Sequence, residues 1–494
     1  MVETVRFVRL FYCYARRDKE HRDELSKYLR RDHIVEWYDR EILPGQDWAT
    51  VIEEKLNTAD IILLLISADF MSSEYCYGTE MRRALARDEA EEAIAIPVIL
   101  RPVHWKGTPI SKLQVLPTDG NPVTSWPNPD QAFYNVADGI HKVIDKRLKE
   151  QYHSDAKKSI SEGRNAEAIL AYQRALSFAQ DDSSLYNELG EFLFSQQQYE
   201  AALEAYTNAT LHDLQNAQFH LNKGNALYKL ERYEEALVAY EEAIQLISND
   251  FSGYKNRGDA LFKLGRYQEA LDSYAHAIQL SPSNYHLHKR KGDILVRLGN
   301  FVEALSSYEE AMRYNPDDAE LYMNKGSVLS SMVRYKEALS SYEKAICLGL
   351  DTAQIYVDKG NVLFRMTHYE EALSSYGEAI HLDPDDAQIW RSKAKCLERL
   401  KRPLETLASY NEALRLDPDN PYFYKEKGDI HLSLESLEDA LTSYEKAIHL
   451  FPEFAQAYLQ KSVVLKMLAE QAYQTFERLK VRVYKKTRKL DNNE

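Results

Sequence analysis

Cysteine is scarce in this chain. Four residues, Cys13, Cys76, Cys347 and Cys396, are spread over 494 positions and none forms a C-x-x-C pair. That spacing supports neither a zinc site nor a disulfide framework and points to a reducing, cytoplasmic setting. Long apolar runs are also missing. A spanning helix needs roughly 18 apolar residues in succession, whereas the longest run, Ile61 to Ile66, suits a buried strand. The opening MVETVRFVRLFYCY is interrupted by Glu3, Arg6 and Arg9 and has no small-residue cleavage site, so it reads as a strand and not as a signal peptide. No membrane partner is expected. Positive charge is outweighed, with 62 Lys and Arg against 77 Asp and Glu and a formal net charge of −15. Nucleic acid is therefore not expected as a partner, because neutralising phosphates needs a basic surface. The exception is a tail cluster of Arg478, Lys480, Arg482, Lys485, Lys486, Arg488 and Lys489. It reads as a solvated helix end or as a contact for an anionic partner. Neither G-x-G-x-x-G after the first strand nor G-x4-G-K-[ST] occurs, and H-E-x-x-H is absent, so no bound cofactor or metal is expected.

What the chain does have is a period. Alanine stands at 168, 202, 236, 270, 304, 338, 372 and 440, and each is followed four residues later by tyrosine. Thr406 and Tyr410 fill the remaining slot. Gly190, Gly224, Gly258, Gly292, Gly326, Gly360 and Gly428 keep the same 34-residue register, with Ala394 in the skipped position. Proline recurs at 282, 316, 384, 418 and 452. Each unit reads as a first helix with the glycine, a second helix with the alanine and tyrosine, and a proline that ends it. These residues resemble the tetratricopeptide repeat, which implies an all-α superhelical solenoid that binds protein. We count nine units over 149–454, then capping helices and the basic tail over 455–494. By the same resemblance the first helices line a concave face, where Asn222, Asn256 and Asn324 are candidates to hold an extended peptide by its backbone. Basic residues beside them also fit a role of covering the apolar seam.

Residues 1–148 lack the period. Apolar runs at Phe7–Tyr14, Ile34–Tyr38, Ile61–Ser67, Ala95–Leu100 and Val123–Trp126 alternate with amphipathic segments at Asp18–Arg31, Asp47–Asn57, Ser73–Ala90 and Asp130–Leu148. This alternation predicts an open parallel sheet of five strands covered on both faces, with any ligand at the carboxyl ends of the strands.

Four segments in order, FYCYARRDKEHRDEL, WYDREILPGQDW, ADIILLLISADFMSSEYCYGTEM and IPVILRPVHWKGTPISKLQVLP, resemble the successive boxes of a Toll/interleukin-1 receptor (TIR) domain of the bacterial branch. The likeness covers nearly all of 5–146 and implies a flavodoxin-like five-stranded sheet. Family members are either adaptors that only self-associate or enzymes that cleave the nicotinamide–ribose bond of NAD. The enzymatic class carries a glutamate on the helix after the third strand, and Glu80 in YCYGTEM occupies that place. The resemblance implies substrate-binding roles for Arg16, Trp37 and Ser67. It implies that Trp105 is presented to the adenine by a neighbouring protomer. It also implies self-association in which the loop Asp39–Trp48 of one TIR unit completes the pocket of the next. The family's usual tryptophan four residues before the glutamate is Cys76 here, and the serine often found after the first-strand tyrosine is Ala15. The expectation is an assembly-activated NAD glycohydrolase or ADP-ribosyl cyclase on a protein-binding scaffold, resembling bacterial antiphage effectors. NAD is then substrate, not cofactor.

Overall fold

The computed structural model describes residues 6–39 and 46–490 and divides into two compact units between Leu230 and Glu231. Residues 40–45 of the expected assembly loop and 491–494 of the tail lie outside the described residues.

In the amino-terminal unit, strands β1 (Val8–Tyr14), β2 (Ile34–Trp37), β3 (Ile61–Ile66) and β4 (Ile94–Ile99) form a parallel sheet in the order β2-β1-β3-β4. The two-residue alternation of a strand sends its side chains to opposite faces. Leu10, Tyr12, Leu63 and Leu65 pack under α1 (Lys19–Leu29) and α5 (Pro129–Ser161). Phe11, Cys13, Ile62, Leu64 and Ile66 pack under α2 (Trp48–Thr58) and α4 (Met81–Glu89). All six residues of β3 are fully buried, which is why that strand reads as an unbroken apolar run.

The sheet has four strands, not the expected five. Val123–Ser125 forms one turn of 3-10 helix, held by the Thr124 N–H on the Leu100 carbonyl at 3.0 Å. The slot beside β4 holds a single bridge, Val98 to Leu116, with N–H···O distances of 2.8 Å on either side of it. Pro117 and Pro122 have no N–H to donate and stop that bridge from growing into a ladder.

The predicted boundary at 148 falls inside α5, which runs unbroken for 33 residues from an Asn128 cap and Pro129 at its first position. Phe133, Val136, Ile140, Ile144, Leu148, Tyr152 and Ala156 form one buried stripe along it. The first part covers the sheet and the last part serves as the first helix of the first repeat, packing against α6 (Asn165–Ser177). α7 (Ser183–Ser195), α8 (Tyr199–His212) and α9 (Ala217–Lys229) follow in the same unit.

The carboxy-terminal unit is a series of antiparallel helix pairs with the tetratricopeptide arrangement, ending in one long helix, Ala455–Leu490. Its marker residues meet as pairs. A Cβ added to Gly326 would stand 2.6 Å from the Tyr342 ring, and Gly258, Gly292, Gly360 and Gly428 lie equally close to Tyr274, Tyr308, Tyr376 and Tyr444. The residue after the glycine takes the tyrosine hydroxyl: Asp293 accepts from Tyr308 at 2.8 Å, Asn361 from Tyr376 at 2.8 Å and Asp429 from Tyr444 at 2.9 Å. Asp250, Asn284, Asp318, Asp386 and Asn420 cap first helices through their side chains.

Within each pair the turn needs one left-handed residue. Gly265 and Gly299 supply it, but the equivalent place holds Val333 at φ 63° and Thr367 at φ 64°. A left-handed backbone costs an L-residue about 1–2 kcal/mol, against about 0.5–1 kcal/mol for the greater unfolded freedom of glycine. Val333 is 67% exposed and gives up little packing. Val333→Gly is therefore expected to stabilise the carboxy-terminal unit by about 0.5–1 kcal/mol. Urea unfolding of the full chain and hydrogen exchange across 319–347 measure it; a loss of stability would mean that Val333 packs more than its exposure indicates.

Candidate active site

At the carboxyl ends of β1 and β2 the chain leaves a cleft of ≈ 400 Å³, within the range of small-molecule sites, roughly 300–1,000 Å³. Its walls include Tyr14, Arg16, Arg17, Trp37, Asp39, Trp48, Tyr75, Cys76 and Glu80. A larger cleft of ≈ 720 Å³ lies among α6, α7 and α8 and is walled mainly by aliphatic and amide side chains, with no buried carboxylate.

Glu80 is 6% exposed. The segment that delivers it begins at Ser67, whose hydroxyl caps the short helix α3 (Ala68–Ser72), and continues through Ser73, which accepts from the Cys76 N–H at 3.1 Å. Cys76–Glu80 is then a π turn, with the Met81 N–H bonded to the Cys76 carbonyl five residues back. The wider turn alters which side chain stands one turn before Glu80, and Tyr75 lies in the cleft wall beside Cys76. The Cys13 thiol donates to Glu80 Oε2 at 2.8 Å. Neither Arg82 nor Arg83 pairs with Glu80; Arg83 donates to Asn57 at 2.7 Å. Burial therefore dominates and pushes the Glu80 carboxyl up to about 7; the Asp39 carboxylate adds to the rise, while thiol donation from Cys13 and Cys76 opposes it. Burial also pushes the Cys76 thiol up to about 11, which leaves it protonated and a poor nucleophile. The Tyr14 hydroxyl donates to Asp39 Oδ1 at 2.5 Å, fixing the second carboxylate of the cleft.

Three of the five residues named from sequence for the TIR site, Glu80, Arg16 and Trp37, meet in this cleft. Arg16 is exposed at its rim. Trp37 is 9% exposed and stacks on Phe11, with centroids 5.2 Å apart and planes 12° apart. Ser67 is fully buried behind the wall, where it accepts from the Phe70 N–H at 3.1 Å and donates to Asp18 at 2.5 Å. Arg101 joins that network, donating to Asp18 at 2.8 Å and pairing with Asp69. Trp105 lies outside the wall, half-buried near Gly120. Tyr14, Asp39, Trp48 and Tyr75 lie within the rim segments Tyr14–Asp18, Tyr38–Trp48 and Ser67–Glu80 that follow from the strand ends, but the sequence gives none of them an individual role. Cys13 lies outside those segments and its place beside Glu80 follows from strand alternation, while the π turn has no sequence marker.

The three repeat asparagines are already engaged. Asn222 is 9% exposed, donates to Asn187 at 2.8 Å and accepts from Gln218 at 2.8 Å. Asn256 accepts from Lys255 at 3.1 Å, and Asn324 donates to Asp293 at 3.5 Å. A peptide backbone at these places would have to replace those bonds.

Residues 10–127 match the family model for the TIR domain. Models for tetratricopeptide repeats match 224–265, 251–284, 292–332, 319–347 and 357–421, and that for anaphase-promoting complex subunit 3 matches 161–243. The chain is 45% identical over 138 residues to the uncharacterised protein y4lF of Sinorhizobium fredii, a stretch that is 27% of this chain and 43% of that protein. Among solved structures it is similar to YrrB, described as a TPR protein with an unusual peptide-binding site (26% identity, 39% of this chain and 98% of that one, TM-score 0.35). It is also similar to a tetratricopeptide repeat protein of Parabacteroides merdae (18% identity, 51% and 99%, TM-score 0.39).

The raised Glu80 carboxyl has a consequence for stability. With a folded value of about 7 against an ordinary 4.5, the folded chain keeps a proton that the unfolded chain releases, so stability falls as pH rises through that window. Glu80→Gln, neutral throughout, is expected to exceed the parent by up to roughly 3 kcal/mol above pH 7, with the gap closing near pH 4.5. Thermal unfolding at about pH 5 and pH 8 tests this; an equal gap at both would mean that Glu80 titrates normally.

Proposed function

From a chain that joins a TIR domain to tetratricopeptide repeats, a signalling or scaffold architecture, we propose an enzyme that cleaves NAD and releases nicotinamide. TIR domains include NAD-cleaving enzymes, and the observation that carries the reading is Glu80: of the carboxylates that line the cleft at the strand ends it is the buried one, and it has no ion-pair partner among the described residues. The bond between nicotinamide nitrogen and ribose C1′ breaks with its electron pair leaving on nicotinamide. The ribose carries the positive charge as an oxocarbenium, and an adjacent carboxylate stabilises it. Water then attacks C1′ and loses a proton, giving ADP-ribose; attack by the adenine ring of the same molecule gives a cyclic isomer instead. The nicotinamide ring is itself cationic, so its binding beside Glu80 favours the ionised carboxylate that burial otherwise disfavours. Arg16 and Arg17 at the rim suit the diphosphate, Arg17 while also pairing with Asp69 at 3.0 Å.

The repeats, as protein-binding modules, would gather TIR units around a client or one another and raise their effective concentration. Among the described residues no helix is long and apolar enough to cross a membrane. A role in bacterial antiphage signalling, by depletion of NAD or by a signal nucleotide, fits this arrangement. The test is direct. Nicotinamide release, followed by chromatography with concentrated or crowded protein, is expected from the parent and reduced about 100-fold or more in Glu80→Ala. Mass spectrometry of the products separates linear from cyclic ADP-ribose. No release by the parent under any assembling condition would leave the scaffold role alone.

A further inference from the structure

Cleavage of a dinucleotide needs a flat surface for the leaving ring, and Trp37 offers little of one, with 9% of its surface exposed and its ring stacked on Phe11. Trp48 and Tyr75 are placed differently. Trp48 opens α2 at the mouth of the cleft with 47% of its surface exposed, an unusual loss of burial for so large an apolar side chain. Its ring centroid lies 4.5 Å from that of half-buried Tyr75, with the planes tilted by 43°, so the pair makes a notch instead of a closed stack.

The π turn is what brings Tyr75 there. In a regular α-helix a residue five positions before Glu80 points about 140° away from it round the axis. Widening the turn to a five-residue hydrogen bond closes much of that angle, and Tyr75 and Glu80 both line the cleft. Among the described residues the Tyr75 hydroxyl has no hydrogen-bond partner, so its place in the cleft is not explained by a bond to the scaffold.

We infer that Trp48 and Tyr75 form the ring-binding subsite of this cleft and hold the cationic pyridinium ring of the nicotinamide end next to Glu80. An electron-rich indole or phenol face attracts a flat cation as well as stacking on it. The identity of the ligand rests on the NAD-cleaving reading; the existence of the subsite is tested apart from turnover. Glu80→Gln chain is titrated with NAD, nicotinamide mononucleotide and AMP while tryptophan fluorescence is followed, with Trp48→Phe in the same background identifying the responding ring. Tyr75→Ala is expected to weaken NAD and nicotinamide mononucleotide about tenfold and to leave AMP within about threefold. Tyr75→Phe, which keeps the ring, is expected to restore binding to within about threefold of the parent. In the chain with Glu80 intact, Tyr75→Ala is expected to raise KM about tenfold with kcat changed far less. Thermal melts of each variant separate loss of binding from loss of fold. Unchanged affinity in Tyr75→Ala, quenching that survives Trp48→Phe, or no binding of either nicotinamide compound overturns the subsite. Tyr75-dependent binding without nicotinamide release overturns the enzymatic reading and leaves the subsite standing. Release with an unchanged KM in Tyr75→Ala does the reverse.

Discussion

The amino-terminal unit depends on one apolar stripe, the buried face of α5. From Ala132 to Ala156 it keeps a three- or four-residue spacing, and every member is at most 6% exposed. Burial of a large aliphatic or aromatic side chain stabilises by roughly 1.5–3 kcal/mol, so this stripe outweighs any polar contact in the unit. The same helix backs β1 and β3 at one end and closes the first repeat at the other, and no loop separates the two roles. Arg6, just before β1, reinforces the join by a bidentate pair with Asp155 at 2.6 and 2.8 Å. That pair is partly exposed and worth little alone. The sheet and the first repeat are one body because of the stripe, not because of the pair.

With one face of the sheet committed to α1 and α5, the other face sets the conditions at Glu80. Apolar Phe11, Ile52 and Trp37 surround the cleft floor and exclude water from the carboxyl group. Thiol donors from Cys13 and Cys76 oppose the resulting rise, yet a thiol is a weak donor and desolvation wins. Arg16 and Arg17 are nearby cations, but both are exposed and solvent screens them. The site thus holds an acid without compensation, an arrangement that a fold selected only for stability would avoid.

Much of this was legible in the residues. Four strands follow from short apolar runs, the helices between them from amphipathic segments, and the glycine–tyrosine register from the 34-residue period. Where reading failed, a local pattern was ambiguous. Val123–Trp126 has strand composition, but nothing in those residues says that Pro117 and Pro122 confine the neighbouring backbone to one bridge. The boundary at 148 follows the repeat register, whereas the spacing of Leu148, Tyr152 and Ala156 continues the stripe of Ile140 and Ile144 and carries one helix through it. Cys76 stands four residues before Glu80, and only the hydrogen bond from Met81 to Cys76 reveals a turn of different pitch. Ser67 is expected to end its strand, but β3 stops at Ile66 and Ser67 caps α3, while Asp18 and Arg101, distant in sequence, hold it away from the cleft.

On the proposed chemistry, the uncompensated carboxyl group becomes intelligible. Ionising Glu80 against the protein alone costs roughly 3 kcal/mol at the high-pH limit. A cationic ring a few ångströms away returns about 4 kcal/mol at the effective dielectric of a partly buried site. Substrate therefore supplies the charge that the protein withholds. As the glycosidic bond lengthens, the positive charge passes from the ring to the ribose, so the attraction is kept through the transition state while nicotinamide becomes neutral. Once water has added, no cation remains beside the carboxylate, the penalty of burial returns, and the same desolvation that tunes the acid disfavours retention of the products.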